Sequence, residues 1–188
     1  GGREIGERLS KELGIAYYDE EIIRKAAVES GISKDVMASY DEKPTTSLLY
    51  SFAMNATSYI GNDTKPLEMR AYLAQIDAIK NIADSGPCVI VGRGADHILS
   101  GRAKLIKVFV VADMDYRIHR VMERRKVSEE QARILIQKTD KSRAVFYNYH
   151  TDQKWGNARD YDLCVNSAKS GTDGAVDLVK FFLGTVTA

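Results

Sequence analysis

Apolar residues along this chain alternate between short continuous runs and stripes of helical period. Ile5, Leu9 and Leu13 recur at i, i+4 and i+8, which predicts a helix over 1–13 that Gly14 stops. A second stripe, Met69, Leu73, Ile76, Ile79 and Ala83, predicts a long helix after Pro66 ending at Ser85-Gly86-Pro87. Between them, Glu20–Ser30, a segment capped by Ser33 and one capped by Thr45 or Thr46 predict three short helices across 20–60, with a loop at Gly61–Lys65. Apolar runs at 15–18, 88–92, 105–112 and 163–167 are strand candidates, short and bounded by turn residues. Helices are expected from Asp113, from Ser128 with Glu130 behind it, and over Gly174–Leu183; Thr151–Asp160 is expected as a loop.

Strand and helix in alternation point to an α/β fold around a parallel sheet with right-handed crossovers. A helix opened by two glycines is ordinarily fed by a strand, so a fifth strand is expected before Gly1. With 188 residues the chain suits a single α/β domain with a core of its own.

The stretch CVIVGRGADH at 88–97 carries the first chemical signal: a buried-type strand running into an arginine flanked by glycines. In parallel sheets ligands gather at the carboxyl ends of strands. Arg93 there offers a planar fork suited to phosphate, and Asp96 an acceptor; an ordinary structural ion pair would place the same residues there. Arg3, in the first turn of the first helix, opposes the helix dipole unless an anion sits at the helix start; pointing into water would relieve it equally well.

Charge and composition narrow the classes. The net charge of +1 and 44% hydrophobic content announce neither a nucleic acid polymer nor a membrane as partner. Locally, twelve Lys/Arg face six Asp/Glu between Arg102 and Arg143, an excess that suits an anionic ligand or a solvated helix face. Arg117, Arg120 and Arg124 share one helix face at i, i+3 and i+7, and the first two read as structural or solvated. Cys88 and Cys164 have no metal or disulfide spacing, there is no signal peptide or eighteen-residue apolar run, and a cytoplasmic location is expected. His97, His119 and His150 have no partner visible in sequence, and Tyr147, Tyr149 and Trp155 read as packing residues.

GGREIGERLSKELGIAYYD at 1–19, GPCVIVGRGAD at 86–96, VMERRKVSEEQA at 121–132, TDKSRAVFYNYHT at 139–151 and W-G…YDLCVNS at 155–167 together resemble the nucleoside monophosphate kinases. The closest resemblance is to the cytidylate kinase-like family of bacterial and archaeal proteins. It implies a P-loop sheet of about five parallel strands flanked by helices, a substrate-binding helical insertion near 20–60 and a lid near 124–160. It implies transfer of the γ-phosphate of ATP to a nucleoside monophosphate, CMP or dCMP first, with Mg2+ as cofactor and small-molecule nucleotides as partners; the oligomeric state is not fixed by it.

By the same resemblance Gly1, Gly2, Arg3 and Glu4 end a phosphate-binding loop, Arg3 standing in the place of the usual lysine. Arg93 and Asp96 match an Arg-Asp pair used on the acceptor nucleotide, and Asp19 is a further substrate-binding candidate. Asp140 and Arg143, in D-x-x-R-A, match a lid pair in which Asp140 orients Arg143; Arg124 and Lys138 are additional phosphate clamps. Glu4 stands where the loop ordinarily offers Ser or Thr to magnesium, and Val91 where cytidylate kinases carry aspartate, so no metal ligand is assigned. A kinase for a non-nucleotide small molecule and a catalytically weak nucleotide-binding regulator are the competing expectations.

Overall fold

The computed structural model describes residues 1–29, 67–102 and 104–187. The helices expected at 33–41 and 45–59, most of the expected insertion and the loop at 61–65 lie outside them. In chain order the elements are α1 (Gly2–Leu13), β1 (Ala16–Tyr18), α2 (Glu20–Glu29), α3 (Leu67–Asp84), β2 (Cys88–Ile90), α4 (Ala95–Ile98), β3 (Val108–Val111), α5 (Met114–Arg125), α6 (Glu129–Thr151), β4 (Leu163–Asn166) and α7 (Ser167–Thr187). They form two compact units, residues 1–17 with 88–188, and residues 18–87.

In the larger unit β3 and β4 pair in parallel, with Val108 opposite Leu163 and Val111 opposite Asn166. Side chains alternate across a strand, so Val108, Val110, Leu163 and Val165 share one face. That face packs with Ile5 and Leu9 of α1 and Ala175, Val176 and Val179 of α7. Phe109 points the other way and meets Trp155 edge-on at 5.5 Å and Tyr161 at 4.8 Å between ring centroids. Trp155 and Tyr161 therefore pack, and the loop after α6 is fixed to the sheet.

β1 pairs with β2. The single sheet of about five strands is not what the described residues form: they hold four short strands in two two-stranded sheets. α1 touches both. A Cβ on Gly6 would lie 2.7 Å from a Val91 methyl, behind β2, and one on Gly2 would lie 3.9 Å from Val110 of β3. Gly6 widens the buried side of α1, so that Gly6 and Ser10 are buried alongside Ile5, while Leu9 of the expected stripe packs against the core from its edge.

α5 and α6 form a hairpin around Ile118, Ala132 and Ile136. Ser128 starts α6 with a capping box, its hydroxyl accepting from the Gln131 amide while the Gln131 side chain accepts from the Ser128 amide. The residues bracketing α6, Lys126 (φ 55°) and Asp152 (φ 53°), are both left-handed. α7 begins at Ser167, seven residues earlier than expected, because a non-helical Gly171 (φ 68°, ψ −177°) sits inside it and hides its first turn from the sequence pattern.

In the smaller unit α2 packs on α3 through Ala27, Ala71, Ala74 and Ala78. The buried stripe of α3 is turned roughly a third of a turn from the expected one. Met69 is exposed, while Ala71, Gln75 and Ile79 are buried. Small alanines let two helices approach closely, and that contact outweighs the pull of the larger side chains.

Candidate active site

α1 begins at Gly1 with no side-chain cap, so its first amides are not served by a capping side chain. Glu4, in that first turn, draws side chains from two other elements. Arg120 of α5 donates to Glu4 Oε2, and Arg124, one turn later, donates to the same oxygen at 2.7 Å. Thr172 of α7 donates to Oε1 at 3.2 Å. Burial alone pushes the Glu4 carboxyl up, but the Arg120 hydrogen bond and charge, the Thr172 hydroxyl and the Arg124 charge outweigh it and leave it below its ordinary value. Arg120 also donates to the Tyr116 hydroxyl at 3.1 Å and lies 5.7 Å from the Tyr116 ring centroid. Beside this cluster opens a cleft of about 610 Å³ lined by Glu4, Tyr116, His119, Arg120, Glu123 and Arg124.

The first arginine of the α5 face is used differently. Arg117 holds both oxygens of Asp140 in a fork, each N···O distance 2.7 Å. Arg143 stands 3.8 Å from Asp140 and is 61% exposed. Asp140 is therefore tied first to Arg117, a residue read as structural or solvated, and only loosely to the Arg143 it was expected to orient.

α6 carries Asp140, Arg143, Phe146 with Tyr147, and His150 at successive turns of one face. At its far end this face meets the turn after β2. Arg93 takes a left-handed conformation (φ 59°) between Gly92 and Gly94, which directs its guanidinium over the Phe146 ring, 5.8 Å from the centroid. Burial lowers the Arg93 pKa to about 10, which leaves it charged at neutral pH. Asp96 accepts from the buried Tyr147 hydroxyl at 2.6 Å. Burial, then that carboxylate, pushes the Tyr147 phenol up. His150 stacks at 4.7 Å on Phe146, and burial lowers its pKa to about 4, so it is neutral.

The described structure thus gathers Glu4, Arg120, Arg124 and Thr172 at the head of α1, Arg117, Asp140 and Arg143 between α5 and α6, and Arg93 and Asp96 against Phe146 and Tyr147 of α6. Arg3 is exposed on the first turn of α1, and Lys138 is exposed on α6. Asp19 is buried and belongs to the start of α2, its carboxylate accepting from the amides of Glu21 at 3.1 Å and Ile22 at 3.2 Å. That is a helix cap. Arg117, Arg120, Thr172, Phe146 and Tyr147 were not among the expected site residues. The 117–120–124 spacing signalled the first two; nothing in the sequence pointed to Thr172.

Magnesium fits this donor set poorly. Among the described residues no three His, Cys, Asp or Glu converge on one point. Glu4, at the position of the expected hydroxyl, spends both oxygens on guanidinium and hydroxyl donors. The head of α1 thus already holds a paired carboxylate.

No helix among the described residues is long and apolar enough to cross a membrane. No protein of curated function matches the chain. The crystal structure of an uncharacterized protein from Eubacterium ventriosum superposes with a TM-score of 0.74 at 27% identity, covering 98% of this chain and 91% of that one. The model of the cytidylate kinase-like family matches residues 1–169. Spanning all of the arginine-rich site, that match shows that the chain belongs to the cytidylate kinase-like family.

Proposed function

We propose that this protein transfers the γ-phosphate of ATP to a nucleoside monophosphate, CMP or dCMP first. The observation that carries the reading is the convergence of Arg120 and Arg124 on Glu4 at the start of α1, with Arg143 on α6 beside Asp140 and Arg93 packed over Phe146 of α6. Phosphoryl transfer asks for positioning and charge cancellation more than for a nucleophile of the protein's own. An acceptor phosphate oxygen forms the new bond to γ-phosphorus as the bond to the ADP oxygen breaks. Arg3 and the amides at the head of α1 would hold donor phosphates, Arg120, Arg124 and Arg143 the transferring group, and Arg93 the acceptor phosphate. Asp96, turned to Tyr147, would address the acceptor's sugar or base together with that hydroxyl. Lys138 is a further phosphate contact, and Asp140 acts through Arg117 and Arg143.

The same reading extends to the fold. We take the two strand pairs as halves of one P-loop-type sheet. The contacts of α1 with both halves, through Gly6 and Gly2, support it. We read 124–160 as the lid; within it Trp155 and Gly156 pack on Phe109. The acceptor-binding insertion read at 20–60 lies mostly outside the described residues.

A coupled assay with ATP, magnesium and a panel of monophosphates tests the assignment. Turnover with CMP or dCMP is expected; turnover with a non-nucleotide acceptor alone would transfer the site to a different kinase. The occupation of Arg120 and Arg124 by Glu4 favours a second reading, a nucleotide-binding protein with weak catalysis, which ATP binding without turnover would establish.

A further inference from the structure

We infer that Glu4 is a built-in counter-anion that holds Arg120 and Arg124 at the head of α1 until a phosphate of the nucleotide takes its place. The inference rests on the phosphotransferase reading above and assigns a role to the residue that departs from the loop pattern. Donors from two elements converge on this one carboxylate: two guanidiniums on Oε2 and the Thr172 hydroxyl on Oε1. A carboxylate and a phosphate present the same kind of acceptor to a guanidinium, so Glu4 occupies donors that a phosphate would use. Two guanidiniums share the one Glu4 carboxylate oxygen, and Glu123 lines the same cleft.

Exposure decides between a fixed structural pair and a displaceable one. Glu4 is 41% exposed, Arg124 57% and Arg120 22%, and all three line the open cleft. The Arg124 pair, this accessible to water, is weak and yields to a polyanion that carries several charges, while the more shielded Arg120 stays in place to receive it. Side-chain rotation alone would withdraw the carboxylate, with α1 left in place. Absent any counter-anion, Arg120 and Arg124, one turn apart on α5, would repel each other and spread into solvent. Glu4 keeps them in place at the cost of competing with the ligand.

Glu4→Gln preserves size and the contact with Thr172 while removing the charge. Titration calorimetry with inorganic tripolyphosphate and with ATP should show binding tightened by roughly tenfold, the loss of one charge-assisted competitor. Thr172→Val, which loosens the carboxylate without altering charge, should tighten binding by a smaller factor. Glu7→Gln removes an equal charge one turn along α1, where the carboxylate pairs with Lys11 at 3.3 Å, and should change binding by less than about twofold. Unchanged or weaker binding by Glu4→Gln, or equal tightening by Glu7→Gln, overturns the inference. If the wild type turns over nucleotide and Glu4→Gln binds no tighter, only the role of Glu4 falls. If no variant binds either polyanion, the kinase reading falls with it.

Discussion

Asp140 shows how a single residue divides its partners. Its fork with Arg117 is formed at 2.7 Å and half shielded, while Arg143 stands off at 3.8 Å and faces solvent. Asp140→Asn should therefore cost about 1 kcal/mol in denaturant unfolding, through Arg117, because only the shielded pair contributes appreciably. Arg143→Ala should leave the unfolding midpoint within error and depress turnover by tenfold or more in the coupled assay. His150 supplies a pH prediction. Its folded pKa of about 4 lies below the ordinary imidazole value, so burial of the neutral ring adds stability above about pH 6.5 that is lost as pH falls towards 4. His150→Phe, which keeps the ring contact with Phe146, should flatten the difference in stability between pH 7 and pH 5 relative to the wild type. At this scale the sequence disclosed residue types and spacing but not pairing. D-x-x-R-A named Asp140 and Arg143 correctly as neighbours, yet Arg117, twenty-three residues upstream, outcompetes Arg143 because α5 and α6 fold side by side. Asp19 was visible as a carboxylate after a strand, and its service as a helix cap is equally local chemistry.

Among the elements, those written by regular periodicity were legible and those shaped by small residues were not. The two helices of the α5–α6 hairpin were legible from their starts at Asp113 and Ser128, and the Ser128 cap is completed by Gln131. Ser128→Ala should lower stability by about 1 kcal/mol, read as a shift in thermal midpoint. The buried face of α3 was misjudged where alanine outranks a larger residue by permitting closer approach, and on α1 the expected stripe packs through Ile5 and Leu9 but missed the buried Gly6. Gly6→Ala tests that contact. A methyl placed 2.7 Å from the Val91 methyl should cost about 1–3 kcal/mol, far more than the helix propensity gained. A variant as stable as wild type would show that α1 can lift from β2 without penalty.

For the whole molecule, alternation of strand and helix sufficed to give the class, and the family match over 1–169 agrees with the motifs that span the chain. The single sheet expected from that alternation is not what the described residues form: strand pairing is set by partners far apart in sequence, and they give two pairs. Charge behaves likewise. A net charge of +1 conceals a cluster of arginines that only folding assembles, Arg117, Arg120 and Arg124 of α5 with Arg143 of α6, around Glu4 and Asp140. Nucleotide binding should accordingly weaken steeply with added salt, and a salt-independent affinity would remove the arginine cluster from the binding site.

α6 runs unbroken for 23 residues with Arg143 near one end of the site and Phe146 and Tyr147 one turn beyond. Such a helix fixes the axial spacing of these groups at about 1.5 Å per residue. It acts as a ruler: any tilt of the rod moves Arg143, Phe146 and Tyr147 together, and none of them can shift alone. On the phosphotransferase proposed above, the grips on donor and acceptor would then close as one mechanical event.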